Sequence, residues 1–272
     1  MVGDGFRVHN FFPSGYKLNM SPFFLLDYNA KIEFSARNEP RGVGVHPHRG
    51  FETVTIAYHG AVAHHDSAGN SGTIYPGDVQ WMTAASGILH KEYHEKVFSE
   101  KGGPFQMVQL WVNLPAKDKM TTPKYQALKH NEIAKVVLPN DAGTVEVIAG
   151  NFKGTKGSAS TFTPIEMYNA RFTKGGIGNF DFPANYNTSF VVIEGELKVN
   201  GTEIVKQDQM VYFENKGESI TVEALADSVI LMLSGEPINE PIAQYGPFLM
   251  NTQEEIKQAI TDYNEGRFGY LD

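Results

Sequence analysis

The chain has 272 residues, 41% of them hydrophobic, which allows one large domain or two of ordinary size with real cores. Its formal net charge of −8 argues against a protein that grips nucleic acid by the phosphates, since that takes a concentrated basic surface. With no cysteine there are no disulfides, thiolate metal sites or cysteine nucleophile, so any metal must rest on nitrogen and oxygen ligands.

From Phe6 to Phe34 aromatic and polar residues alternate loosely, with Pro13-Ser-Gly and Met20-Ser-Pro as turn signals, and short strands are predicted. Arg37 to Gly44 reads as a loop. The stretch Val43 to Tyr58 follows and carries His46, His48 and Glu52. Read as one extended run, its alternate positions put all three on one face, the geometry of a metal site. Pro47 must then sit where no ladder hydrogen bond is needed, at an edge or a bulge. His59, His64 and His65 lie beside turn-forming sequence and are expected to be solvated. Val79-Gln-Trp-Met-Thr is a further strand, and after the Ser86-Gly87 turn His90 and Glu92 again stand two apart and share a face. His94 has the same parity and is expected at a pocket rim or in solvent. Short strands punctuated by glycine indicate an all-β barrel or sandwich.

Gln106 to Leu114 is another strand, closed by Pro115, and the polar stretch 116–141, with Pro123 and Pro139, marks a domain junction. The expected division is residues 1–130 and 131–272. Strands resume from Thr144. At the end, Thr252 and Glu255 form a capping-box pair, Ile256, Ala259, Ile260 and Tyr263 fall at helical spacing, and Gly266 can stop the helix, predicted over about 252–265. No apolar run approaches the ~20 residues of a membrane span, and the first residues lack the pattern of a secretion signal. The expected setting is cytoplasmic, or nuclear in a eukaryote.

All nine histidines lie between His9 and His130, so a metal held by histidine belongs to the N-terminal half. The halves read as diverged copies. Aligning Val54–Gly60 with Phe190–Gly195 places Asp181, Pro183 and Asn187 where the first half has His46, His48 and Glu52. Ile220 and Val222 then stand opposite His90 and Glu92, so the second copy lacks the ligands. Trp81, Met82, Met107, Gln109 and Trp111 could line a cavity for a flat aromatic ligand or form plain barrel core.

The pattern Gly44-x-His46-x-His48-x-x-x-Glu52, closed by Gly60, resembles the first cupin motif, and Gly77 to His90 resembles a degraded second. More specifically, His46-Pro-His-Arg-Gly-Phe-Glu-Thr-Val, Pro76-Gly-Asp-Val-Gln-Trp-Met-Thr-Ala, Gly87-Ile-Leu-His-Lys-Glu and Gln109-Leu-Trp-Val-Asn-Leu resemble the pirin family. So do Gly235-Glu-Pro-Ile-Asn-Glu-Pro and Tyr245-Gly-Pro-Phe-Leu-Met-Asn-Thr near the end. The resemblance implies an all-β bicupin: two antiparallel cupin barrels facing each other, a C-terminal segment folded back, and metal in the N-terminal barrel alone. Carried over position by position, the iron ligands fall on His46, His48, His90 and Glu92. Fe(II) is the metal implied, and Mn(II), Co(II), Ni(II) or Cu(II) suit the same donors. The resemblance shifts the carboxylate ligand from Glu52 to Glu92 and leaves Glu52 to hydrogen-bond behind the ligands or in the core. It implies a dioxygenase that cleaves a flavonol such as quercetin, with a small aromatic substrate and dioxygen as partners and Glu92 as catalytic base. The alternative it carries is a non-catalytic, metal- and redox-responsive regulator of transcription factors or metabolic enzymes. For that reading the acidic charge favours a protein partner over naked DNA.

Overall fold

Strand alternation organises the computed structural model, which describes residues 3–4, 7–13 and 19–272. The predicted start of the first strand pattern at Phe6 and the turn at Ser14 and Gly15 lie outside the described residues. By its internal contacts the chain divides into one unit made of residues 1–18, 23–130 and 238–272, and a second made of 19–22 and 131–237.

Among the described residues up to position 130, the first unit holds ten strands. In chain order they are β1 (His9–Phe12), β2 (Phe23–Phe34), β3 (Gly42–His48), β4 (Phe51–His59), β5 (Val62–Asp66), β6 (Ser71–Ile74), β7 (Val79–Thr83), β8 (Ile88–His94), β9 (Gly103–Asn113) and β10 (Lys124–Leu128). They form two antiparallel sheets, β1-β2-β9-β4-β7-β10 and β3-β8-β5-β6. The stretch read as one strand from Val43 to Tyr58 is therefore two, β3 and β4, in different sheets. The break falls at Arg49-Gly50, where Gly50 has φ +89° and the carbonyl oxygen of Leu249 stands 2.0 Å from where a Cβ would be. Only glycine fits that corner. Gly50→Ala is expected to cost about 1–3 kcal/mol or more of stability, read as a fall in the urea midpoint.

The second unit repeats the plan. Its six-stranded sheet runs Ala134–Val137, Gly143–Ala149, Ile165–Phe172, Ser228–Gly235, Asn187–Glu194, Met210–Tyr212, and its four-stranded sheet Ile177–Asp181, Ser219–Ala224, Glu196–Val199, Glu203–Lys206. The fold is thus all-β, two barrels that share the order of the four-stranded sheet and of the central strands of the six-stranded one, and differ at the edges. Register corrects the hand alignment by one residue. His46 pairs with His90 in the first unit and Phe180 with Ile220 in the second, so Phe180, fully buried, stands where Asp181 was expected. Phe152, Tyr168, Phe180, Phe182, Phe190 and Met232 pack into the core of this barrel.

The tail helix, Gln253–Asn264, begins with the predicted capping box: the Thr252 hydroxyl accepts from the Glu255 N–H, and the Glu255 carboxylate from the Thr252 N–H. The expected boundaries 1–130 and 131–272 put this tail with the second barrel. Its apolar face belongs elsewhere, because Phe248, Met250, Ile256, Ala259 and Phe268 form one cluster with Leu89 of β8 packed against it. Among the described residues no helix is long and apolar enough to cross a membrane.

Candidate metal centre

β3 and β8 are hydrogen-bonded neighbours, which sets His46 directly opposite His90 and His48 opposite Ile88. Candidate ligand nitrogens of His46, His48 and His90 all lie within 4.8 Å of one another. The ring centroids of His46 and His90 are 4.2 Å apart, those of His48 and His90 4.7 Å, and those of His46 and His48 4.8 Å. Nδ1 of His46 lies 2.8 Å from the Gly44 carbonyl oxygen, which can only accept. That contact assigns the proton to Nδ1 and leaves Nε2 with its lone pair. Burial, with the neighbouring rings adding to it, holds His48 and His90 well below the usual histidine range, in the neutral form that binds metals. Both ring nitrogens of His90 are buried without a hydrogen-bond partner. Such an atom costs about 1–3 kcal/mol unless something else satisfies it. Three converging imidazoles in a cysteine-free barrel fit a divalent transition metal.

Glu92, two residues beyond His90, is buried, and its carboxylate falls outside that histidine group. The Thr55 hydroxyl donates to its Oε1 at 3.1 Å and the Gln109 amide to its Oε2 at 2.6 Å. Burial pushes its carboxyl up, with Gln109, His46 and Thr55 pulling the other way. Beside it opens a small cavity of about 20 Å³, lined by Val43, Val62, Met107, Gln109, Glu92 and Asp27 among others.

The register of β4, β7 and β9 places the remaining expected residues. Thr53 pairs with Met82 and Trp111, and Thr55 with Gln80 and Gln109, so these share the face that Thr55 and Gln109 present to Glu92. Met107 and Gln109 line the cavity, whereas Met82 packs with Ala84 and Ile88. Trp111 stacks on Phe51 at 4.2 Å and stands 5.4 Å from the His48 ring. Trp81 as a pocket wall and Glu52 as a support behind the ligands are corrections: of the places open to them, both take the core. Trp81 pairs with Val54 and Glu52 with Thr83, which puts both on the reverse face of the sheet, away from the cavity and the histidines. The shared parity of Glu52 with His46 fails because the chain changes sheet at Arg49-Gly50. Glu52 accepts from the Thr83 hydroxyl at 2.7 Å, and burial pushes it up to about 7.

Two histidines expected near solvent are interior. His64 lies on β5 opposite Glu92 with its Nε2 2.8 Å from the Tyr125 hydroxyl, and burial lowers it to about 4. The alternation of Val62, His64 and Asp66 carried that signal. His94 is buried among Phe34, Phe98 and Phe105 and lowered to about 4 by that burial.

Residues 5–112 match the family described as Pirin, and residues 167–269 match the Pirin C-terminal cupin domain. A Pseudomonas aeruginosa protein named "Putative quercetin 2,3-dioxygenase" is 49% identical over 268 residues, covering 98% of this chain and 93% of its own. The chain belongs to the pirin family. Human pirin is 37% identical over 273 residues, 98% of this chain and 90% of its own. The crystal structure of a quercetin 2,3-dioxygenase from Acinetobacter baumannii matches with a TM-score of 0.93 at 47% identity, covering 100% of this chain and 95% of that one. The three converging histidines all fall within the first pirin segment, and the phenylalanine-filled barrel carries most of the second.

Proposed function

We propose that this pirin is a metal-dependent dioxygenase that cleaves a flavonol such as quercetin, with the metal held by His46, His48, His90 and Glu92. The position of Glu92 carries the reading: it stands two residues along β8 from His90 and on the wall of the cavity. The names of the relatives support the substrate class. A bound divalent metal, Fe(II) in this reading, supplies Lewis-acid positions for a substrate oxygen and for dioxygen.

The rest is the work of the chain. Thr55 and Gln109 each donate to Glu92 and fix the plane of its carboxylate. Burial raises its basicity, which suits it to take the proton of a flavonol hydroxyl brought within hydrogen-bond reach. Val43, Val62 and Met107 form apolar walls of the small cavity beside Glu92, which must widen to admit a flat ring system. Glu92→Gln is expected to lower quercetin turnover about 100-fold or more in protein that still carries metal by elemental analysis. Absence of turnover by the wild type loaded in turn with iron, manganese, cobalt, nickel and copper would overturn the reading.

A further inference from the structure

Arg49 follows His48 directly and is almost fully buried. Its Nε donates to the Ser86 carbonyl at 2.7 Å, its Nη1 donates to Asp262 Oδ2 at 2.7 Å, and its guanidinium carbon lies 4.6 Å from the centroid of the Phe268 ring. Its main chain is held as well. The Arg49 N–H points to the Pro247 carbonyl at 3.4 Å, and the Arg49 carbonyl accepts from the Leu249 N–H at 3.0 Å, a parallel bridge alongside Phe248. Ser86 stands two residues before β8. One side chain therefore ties the end of the His48 strand to the start of the His90 strand, and both to the tail.

The tail is built to receive that charge. Asp262 is itself buried, and its other oxygen accepts from Gln258 at 2.8 Å and pairs with the Arg267 guanidinium at 3.0 Å. Phe268 closes the other side, pressed so near Gly87 that a Cβ there would lie 2.6 Å from the ring. A buried guanidinium is a poor choice where packing alone is wanted, because it must be desolvated and paired. Its directional, charge-assisted bonds fix geometry instead. Here they fix the residue after one metal-binding histidine and the turn leading to another.

We propose that the C-terminal tail is part of the metal centre: Arg49, clamped by Asp262, is a positioning residue that sets the spacing of His48 and His90, so the tail tunes metal affinity without supplying a ligand. The proposal rests on the reading that the three histidines hold a metal. It is tested in the full chain by titrating metal-free wild type, Asp262→Asn and Phe268→Leu with Co(II), following the visible d–d absorption and the heat of binding, with thermal melting of each metal-free protein alongside. Asp262→Asn is expected to weaken Co(II) binding about 10–100-fold and to shift the absorption bands, as loss of outer support does at other metal sites. Phe268→Leu is expected to act in the same direction by a few-fold, and it decides the matter if Asp262→Asn does not fold. Binding within about twofold of wild type and unchanged spectra, even with a lowered melting temperature, would show a packing brace only and overturn the proposal. A wild type that takes up no Co(II) would instead overturn the metal reading beneath it.

Discussion

Replacing His90 with leucine is expected to stabilise the metal-free protein while abolishing the stabilisation that metal gives the wild type. In the wild type both nitrogens of a buried imidazole lack hydrogen-bond partners, and two more imidazoles crowd the same space. An apolar side chain of similar size removes those two atoms, a gain of about 1–3 kcal/mol where the cavity closes well. With metal present the order reverses. A ligand at 100 times its dissociation constant adds about 2.7 kcal/mol to the wild type, and the variant, short of one donor, forgoes it. Urea unfolding of both proteins with and without Co(II) reads the crossover. If metal stabilises His90→Leu as much as wild type, the metal is bound elsewhere.

Lys119 makes the second large prediction, a stability that rises with pH. Its ammonium is buried and donates to the carbonyls of Gly50 and Leu249 and to the side-chain oxygen of Asn113. Burial brings it from the ordinary 10.5 to about 7, against the pull of Glu240 and Glu255 in the other direction. Between those values the unfolded chain holds the proton that the folded chain has released, so unfolding takes up protons and stability climbs with pH by up to about 1.4 kcal/mol per unit. Below pH 7 the burden of the buried charge is fully present, and above about 10.5 it is gone. Lys119→Met is expected to flatten this slope and, at pH 7, to cost about 2–4 kcal/mol, because three oxygens lose their donor at once. Denaturant unfolding from pH 6 to 10 measures both effects. A flat wild-type profile would mean that the three acceptors hold the ammonium at its ordinary value.

What could be read from the chain and what could not divide along physical lines. The three converging histidines are legible because alternation within a short strand is local: His46 with His48, and His90 with Glu92, keep their shared faces whatever lies beyond. Glu52 was misread because the rule was carried across Arg49-Gly50, where a left-handed glycine moves the chain to another sheet and resets the parity. Trp81 was misplaced for a related reason. An aromatic in a strand has two faces to choose from, and only its pairing with Val54 shows which. Neighbouring turn residues point His64 to solvent, yet it continues the inward positions of β5; His94, expected by parity at a pocket rim or in solvent, continues those of β8 into the core. The tail was assigned by sequence order, whereas an amphipathic helix goes to whichever apolar surface accepts it. No local signal names Leu89 as that surface.

The pairing of Phe180 with Ile220, at the register of His46 with His90, has a use in the laboratory. Every preparation of this protein contains a blank for its own experiment: a second barrel with the same central strand order, in the same tube at the same concentration, without a single histidine. Isotope-edited or site-specific probes placed at matching positions in the two barrels would share every artefact of buffer, temperature and oxygen. What differs between them reports the histidines, and what does not reports the barrel.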